Sequence, residues 1–421
     1  MSKLEALKQI TTKPQLAALL GVKAQSLTNV LYRLKPATQY TSFAIPKKSG
    51  GTRTILAPSA QLKSLQSSLS TLLLDCIDEI NAVNTKKYTY KHALSHGFAR
   101  ECSIMTNAVM HLNQKNVLNI DLKDFFDSFN FGRVRGFFIK NNHFKLDPHI
   151  ATVIAQIACY DNKLPQGSPC SPVITNLITH SLDIKLALLA SKYSCVYSRY
   201  ADDMTFSTRK SLFPHKIMRH RDGKVFYTGK ILRETIKRAG FSINDKKTRI
   251  QYKDSRQDVT GLIVNKKPNV KKEYWRTVRS QCNNLFHTGT FFKKTDTGEE
   301  EGNINELEGQ LNFIDQVDLF NRLRQKPVLN NEYALERELQ KNKKKSAHLL
   351  HGREKTFSRF LYYRLFYGND KPTFLCEGKT DNVYLKSAIN ILAANYPTLA
   401  TPATPPTPYE LLVHFVEYSN R

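Results

Sequence analysis

Two adjacent aspartates, Asp202 and Asp203, stand inside the stretch Ser198-Arg199-Tyr200-Ala201-Asp202-Asp203-Met204-Thr205-Phe206, with Cys195-Val196-Tyr197 leading into it. The apolar flanks read as two short strands joined at Ala201-Asp202, so the turn between them presents paired carboxylates. A third acid, Asp121, ends the apolar run Val117-Leu118-Asn119-Ile120, where an aspartate is costly to bury unless it is paired or bound to metal. Three carboxylates gathered within ~4 Å repel by roughly 4 kcal/mol per pair at an effective dielectric of about 20. A divalent cation must then sit among them, or their pKa values must rise. Oxygen-only donors beside a phosphate substrate select Mg²⁺. Two such ions could activate a sugar hydroxyl and stabilise a leaving pyrophosphate, so the acids need not transfer protons themselves.

The elements that must position these acids can be read in turn. Tyr40 to Pro46 and Thr52 to Pro58 flank Lys47-Lys48-Ser49-Gly50-Gly51, two extended runs about a glycine pair that predict a β-hairpin with a basic tip. There Lys47, Lys48 and Arg53 either close over a triphosphate, the arginine offering a planar fork to phosphate oxygens, or form a solvated turn. Ser59 to Asn84 has helical spacing. Leu164-Pro165-Gln166-Gly167-Ser168-Pro169-Cys170-Ser171-Pro172 predicts a rigid loop opening a helix from about Val173 to Lys192, its backbone able to lie against a nucleotide or a template base. Lys230 to Arg238 reads as helix and Gly240 to Arg249 as turn and strand. Lys247 is there a phosphate contact, a proton donor to pyrophosphate, or a solvated lysine. Residues 4 to 34 predict short helices broken at Gly21, either a packing element or a DNA-binding helix-turn-helix.

The chain has 421 residues, 41% of them hydrophobic, enough for a large core divided over two or three domains. Its 63 Lys and Arg against 36 Asp and Glu leave a formal charge of +27. That excess, spread along the length, favours a polyanionic partner and binding that weakens with salt. Seven scattered cysteines include no C-x-x-C pair and suit reduced thiols rather than a disulfide or zinc framework. No apolar run approaches the ~18 residues of a membrane span, and Met1 to Glu5 lack an apolar leader. A cytoplasmic protein without a membrane partner is expected.

In order along the chain, Asp121 with Phe125-Phe126, Leu164-Pro165-Gln166-Gly167, Tyr200-Ala201-Asp202-Asp203 and Gly240 with Lys247 resemble the palm of a reverse transcriptase. Asn107-Ala108-Val109-Met110-His111 and Val259-Thr260-Gly261 narrow the resemblance to bacterial retron reverse transcriptases, over residues 1–366. It implies a mixed α/β right-hand polymerase: N-terminal helices and fingers over 1–115, palm over 116–265, helical thumb over 266–366, and a partial Toprim-like segment or linker over 367–421. It implies Asp121, Asp202 and Asp203 as catalytic, metal-binding acids for two Mg²⁺ ions, with dNTPs as substrates. Phe126 would stack under the sugar and exclude a 2′-OH, Gln166 and Tyr200 would line the nucleotide pocket, and Lys47, Lys48 and Arg53 would hold the triphosphate near Lys247. Asn107, His111, Val259, Thr260 and Gly261 would help recognise the enzyme's own structured noncoding RNA. Synthesis would start on the 2′-OH of a guanosine in that RNA and leave branched RNA joined to single-stranded DNA (msDNA), in anti-phage defence. A host RNase H would remove the copied template, since no RNase H segment is recognisable.

Leu307, Leu311, Ile314 and Val317 mark one thumb helix, and Phe357, Phe360, Leu361 and Leu365 another. Basic residues, among them Lys343-Lys344-Lys345, Arg359 and Arg364, interleave with aromatics and suit a duplex backbone or an RNA stem. Pro372 to Asp381 predicts an apolar strand, an acid and a glycine turn before a helix over Tyr384 to Ala393. This resembles the opening strand and helix of a Toprim domain, with Glu377 at its general acid/base position. No later strand carries that domain's Asp-x-Asp pair, so the segment is expected to be truncated, completed by a partner, or structural. Two other readings stand beside the retron polymerase: an intron-type or other bacterial reverse transcriptase, and a scaffold holding RNA and msDNA to restrain a toxic effector. The oligomeric state is left open.

Overall fold

The computed structural model describes residues 2–46, 50–87, 93–221, 225–295, 298–324, 352–369, 371–405 and 407–416. It divides into two compact units, Met1–Asn269 and Val270–Arg421, close to where the thumb is expected to begin.

In the first unit, α1 (Lys3–Gln9), α2 (Lys13–Leu19) and α3 (Ala24–Thr28) precede the hairpin of β1 (Tyr40–Pro46) and β2 (Thr52–Pro58), then α4 (Ala60–Lys87) and α5 (Ile104–Val109). β3 (Asn116–Lys123) leads through α6 (Phe131–Lys140), α7 (Pro148–Ala158) and α8 (Ser171–Lys192) to β4 (Val196–Tyr200) and β5 (Asp203–Thr208). The hairpin of β6 (Met218–Arg221) and β7 (Val225–Thr228), then α9 (Lys230–Arg238), β8 (Ser242–Ile243), β9 (Arg249–Tyr252), β10 (Asp258–Val259) and β11 (Leu262–Ile263), complete it. The N-terminal helices serve packing. Leu7, Leu16, Leu27 and Val30 enter the same core as Leu62, Leu65 and Leu69 of α4. Glu79 of α4 also accepts the amides of Lys3 (2.6 Å) and Leu4 (2.9 Å), an anion placed on the positive end of α1.

The central sheet runs β4-β5-β3-β8, with β9 also paired to β3, and its pairings are antiparallel. Alternation sorts its two faces. Leu118, Ile120, Leu122, Met204, Phe206 and Tyr197 join the hydrophobic core, whereas Asn119, Asp121, Asp203, Thr205, Ser198 and Ser207 share the opposite, polar face. A one-residue slip in register would exchange the two sets, so the apolar face fixes where the acids emerge. By length and composition alone α8 is long and apolar enough to cross a membrane, contrary to the expectation that no run comes near it. Its Val173, Ile174, Leu182, Leu186 and Ala190 are instead buried in this core.

The second unit contains α10 (Lys272–Thr288), a hairpin of β12 (Phe292–Thr295) and β13 (Gly298–Glu301), α11 (Ile304–Arg324) and a helix over Gly352–Tyr362. Leu307, Leu311, Ile314 and Val317 of α11 are buried, as are Phe357 and Phe360, the helical spacing read from sequence. Strand β14 (Thr373–Phe374) is followed by the helix Lys379–Ile391 and the short antiparallel pair of β15 (Ala400–Thr401) and β16 (Glu410–Leu411), and pairs in parallel with β17 (His414–Phe415). That helix starts earlier than the expected Tyr384, because the Asp381 carboxylate accepts the Gly378 amide (3.0 Å) and caps it. Ile389, Ala393, Ala400, Val413 and Phe415 form a small core of their own.

Candidate active site

Strand register brings two of the acids together directly. Asp121 of β3 lies opposite Asp203 of β5. Asp202 occupies the two-residue turn from β4 to β5, and its carbonyl accepts the Leu122 amide (3.0 Å). The turn's first residue, Ala201, has φ 56°, a left-handed conformation costing about 1–2 kcal/mol for an L-residue. Such strain persists where neighbours over-determine it.

Asp121 is held on both oxygens: Oδ1 accepts from Asn244 Nδ2 (2.9 Å) and Oδ2 from Lys247 Nζ (3.1 Å). The Asn244 amide donates to the Asp121 carbonyl (2.8 Å), fixing that loop to the strand. Burial, and then the charge of Asp121, raises the pKa of Asp202 above the ordinary carboxylate value. Asp203 is pushed up to about 6 by burial first, then by Asp202 and Asp121. Among the described residues no three His, Cys, Asp or Glu groups close into a metal-binding set. The donors nonetheless suit a hard divalent cation. They are all oxygen, and their mutual repulsion is what a cation would relieve. Here the ammonium of Lys247 supplies positive charge at Asp121.

Asp121 and Asp202 open onto a cleft of about 640 Å³ whose lining also includes Arg53, Lys163, Gln166 and Lys247, while Asp203 lines a smaller adjoining recess with Asp121, Lys247 and Arg249. Hairpin β1–β2 forms part of that lining through Thr52, Thr54 and Leu56, and the Leu56 amide donates to the Gln166 carbonyl (2.8 Å). Gly167 has φ +119°, and a Cβ there would fall 2.5 Å from the Leu56 carbonyl oxygen, so the loop approaches the hairpin as only glycine allows. Lys47 and Lys48 lie outside the described residues.

Phe126 and Tyr200 differ from expectation. Phe125 belongs to the cleft lining; the half-buried Phe126 meets it edge-on, ring centroids 5.5 Å apart. Tyr200 instead faces Phe98 (6.5 Å). Neither side chain belongs to the cleft lining, although Tyr200 lies opposite Asp203 in the register of β4 and β5. Sequence reasoning missed Asn244 and Lys163, the latter ion-paired with Asp127 across 3.1 Å. The turn-and-strand reading of Gly240 to Arg249 held the signal for Asn244, once β8 is paired with β3.

The expected RNA contacts require correction. Asn107 and His111 are fully buried. His111 bonds Ser207 and Ser198 through its two ring nitrogens (2.7 Å each), and Ser198 donates to Asn107 Oδ1 (2.5 Å). Burial holds the His111 pKa down at about 3, so this imidazole is a neutral clasp between α5 and the sheet. Val259 is likewise core. Thr260 (φ 47°) and Gly261 (φ 85°) turn the β10–β11 hairpin, and Thr260 Oγ1 donates to the Ile104 carbonyl (3.3 Å). The two segments thus meet each other, with Gly261 exposed at the tip.

In the second unit Arg364 is tied to Glu308 and Asn305 of α11, an internal use that competes with RNA. Arg359 stacks over Phe286 (4.6 Å) and lines a recess of about 560 Å³ with Arg276, Arg279 and Lys355, a basic surface fit for phosphates. Lys343, Lys344 and Lys345 lie outside the described residues. Glu377 is exposed between β14 and its helix.

Residues 45–273 match the reverse transcriptase (RNA-dependent DNA polymerase) family. The chain is 30% identical over 335 residues to the retron Mx162 reverse transcriptase of Myxococcus xanthus, covering 74% of this chain and 65% of that protein. It is 32% identical over 283 residues to the retron Ec86 reverse transcriptase of Escherichia coli, 66% of this chain and 77% of that one. For the retron Mx65 reverse transcriptase of M. xanthus the identity is 31%, over 62% of this chain and 60% of the relative. Among solved structures, telomerase from Candida tropicalis with a fragment of telomeric RNA superposes with a TM-score of 0.37 and 13% identity, over 79% of this chain and 62% of that one. That likeness is too distant to add to the fold seen directly.

Proposed function

This chain belongs to the reverse transcriptase family, among its retron members, and from that premise we propose that it is an RNA-directed DNA polymerase using dNTPs and Mg²⁺. The observation that carries the reading is the register of Asp121 against Asp203, with Asp202 in the adjoining turn, at a cleft whose lining supplies Arg53, Lys163 and Lys247. Fixed carboxylates on one side and cations on the other suit phosphoryl transfer, where positioning and charge stabilisation do most of the work.

Asp121, Asp202 and Asp203 are the groups that would hold the metal, which when bound would activate the primer hydroxyl and neutralise the departing pyrophosphate. The chain's own residues do the rest. Arg53 presents a planar fork to the triphosphate. Lys247, half exposed where it pairs with Asp121, is free to swing to a phosphate oxygen. Asn244 keeps the Asp121 carboxylate aimed while Lys247 leaves it. The Gln166 backbone, fixed by Leu56, shapes the wall against which the nucleotide lies.

The finer reading is that the enzyme copies its own structured noncoding RNA from a guanosine 2′-OH into msDNA, in anti-phage defence; its relatives' names support the retron type of the enzyme. The Arg276, Arg279, Lys355 and Arg359 recess gives the second unit a phosphate-binding surface of its own. The parallel β14–helix–β17 unit, with Glu377 following its first strand, supports a Toprim-like extension. The test is to isolate the nucleic acid that copurifies with the protein from its native locus, treat it with RNase and a debranching enzyme, and size the remaining DNA. A discrete DNA shortened only after debranching is expected. RNA without DNA, with dNTPs and Mg²⁺ supplied, would overturn the polymerase reading.

A further inference from the structure

Directly behind the catalytic turn lies a buried ion pair that the chemistry above does not use. Arg199, one residue before Tyr200 on β4, and Asp183 of α8 have side chains 0% and 1% exposed. Arg199 Nε donates to Asp183 Oδ1 and Nη2 to Oδ2, both at 2.8 Å, a fork-to-fork pair. The Tyr197 hydroxyl donates to the same Asp183 Oδ1 (2.8 Å). The remaining arm, Arg199 Nη1, donates to the carbonyl of Ala201 (2.9 Å), the left-handed residue of the turn.

The turn is gripped from a second side. Segment Leu94–Gly97 runs beside β4: the Arg199 amide donates to the Leu94 carbonyl (2.9 Å), and the His96 amide to the Arg199 carbonyl (2.8 Å). Asn176 of α8 joins the two grips. Its Nδ2 donates to the Gly97 carbonyl (2.6 Å), and its Oδ1 accepts from Arg199 Nη2 (3.2 Å). Gly97 is pressed so close that a Cβ there would stand 2.6 Å from the Ala201 nitrogen.

We infer that Arg199 and Asp183 are positioning residues for this turn, acting through the Ala201 carbonyl to aim Asp202 and Asp203. Stability alone does not account for the pair, because apolar residues of similar volume commonly replace a buried ion pair without loss. What apolar residues cannot replace is the third N–H. It satisfies the Ala201 carbonyl and selects one orientation of a strained peptide, from which both catalytic carboxylates follow. The inference rests on the polymerase reading for its consequence, but its geometry is independent of it.

The experiment compares the full-length chain with the double variant Asp183→Leu/Arg199→Met, with Arg199→Lys and with Gly97→Ala. Each is assayed for dTTP incorporation on poly(rA)·oligo(dT) with Mg²⁺, alongside thermal unfolding and template-primer binding. The double variant is expected to unfold cooperatively and to bind template-primer as the parent does. Its kcat should fall about 10²-fold, the cost of a misplacement near 1 Å, with KM for dTTP little changed. Arg199→Lys should not rescue it, since an ammonium cannot span Asp183 and Ala201 with a planar fork. Gly97→Ala, which leaves the pair intact but displaces the turn, should lose kcat in the same way. A folded double variant with parental kcat would overturn the inference. Should that variant fail to fold, an unchanged kcat in Gly97→Ala would overturn it instead. Mn²⁺ titration followed by electron paramagnetic resonance reads the aim of the acids without turnover: weakened binding in the variants supports positioning, and unchanged binding contradicts it. An inactive parent chain that still binds Mn²⁺ would count against the polymerase reading alone.

Discussion

At the scale of single residues, Asp203 bears the electrostatic cost of the site. Its pKa, raised to about 6 by burial and by Asp202 and Asp121, means that the folded chain holds this proton more tightly than the unfolded one. The native state therefore binds more protons between about pH 4 and pH 6, and stability falls as pH rises through that window. Replacing Asp203→Asn should raise the melting temperature at pH 8 without divalent ions, by about 2 °C after solvent screening, and the gain should vanish below about pH 4. The same variant should lose polymerase activity by about 10³-fold or more. Calorimetry at the two pH values checks the first outcome; a variant less stable than its parent at pH 8 would contradict it. The acids were legible in sequence because a carboxylate on an apolar strand is an anomaly that demands a cause. Asn107 and His111 were not, because a motif tells which residues recur and not which way their side chains point. Ser198 and Ser207, the partners that turn them inward, are far away in sequence.

At the scale of elements, the site depends on the Gln166–Gly167 loop lying flat against β2. Gly167→Ala combines a strained φ of +119° with a Cβ 2.5 Å from the Leu56 carbonyl oxygen, and a backbone atom cannot move aside as a side chain would. The hairpin carrying Arg53 must shift. We expect KM for dNTP to rise about tenfold, a loss of about 1.4 kcal/mol of binding, with the unfolding transition still cooperative. Steady-state kinetics at varied dNTP decide this, and an unchanged KM would show that hairpin and loop do not together shape the nucleotide site. The β1–β2 hairpin, the β4–β5 hairpin and α8 were readable because each declares itself by local period and by turn residues. The β12–β13 hairpin and the β14–β17 pair were not. For the latter, the strand at β14 is legible within Pro372 to Asp381, but its partner β17 is two residues long, too short for a period, and is found only through pairing across the helix between them.

At the scale of the whole molecule, a charge of +27 makes nucleic-acid binding a counterion-release process. Affinity for a structured RNA should drop by about 10³-fold between 50 and 200 mM salt. Reversing Arg276 and Arg279 together should flatten that slope without abolishing dNTP incorporation on a short template. Filter binding across a salt series reads both, and a slope near zero would remove the polyanion from the account. Length and composition set an expectation of two or three domains, whereas the use of each cation was not legible in them. Arg364 and Arg359 look alike in sequence, yet one is spent on Glu308 and the other lines an open basic recess. The most direct test of the central claim is dNTP incorporation on an RNA template primed with DNA, with Mg²⁺, by the parent chain and by Asp202→Asn. The geometry predicts incorporation by the parent that ceases on chelation, and none above background by a variant that still binds RNA. Equal incorporation by both would show that these aspartates are not where the chemistry takes place.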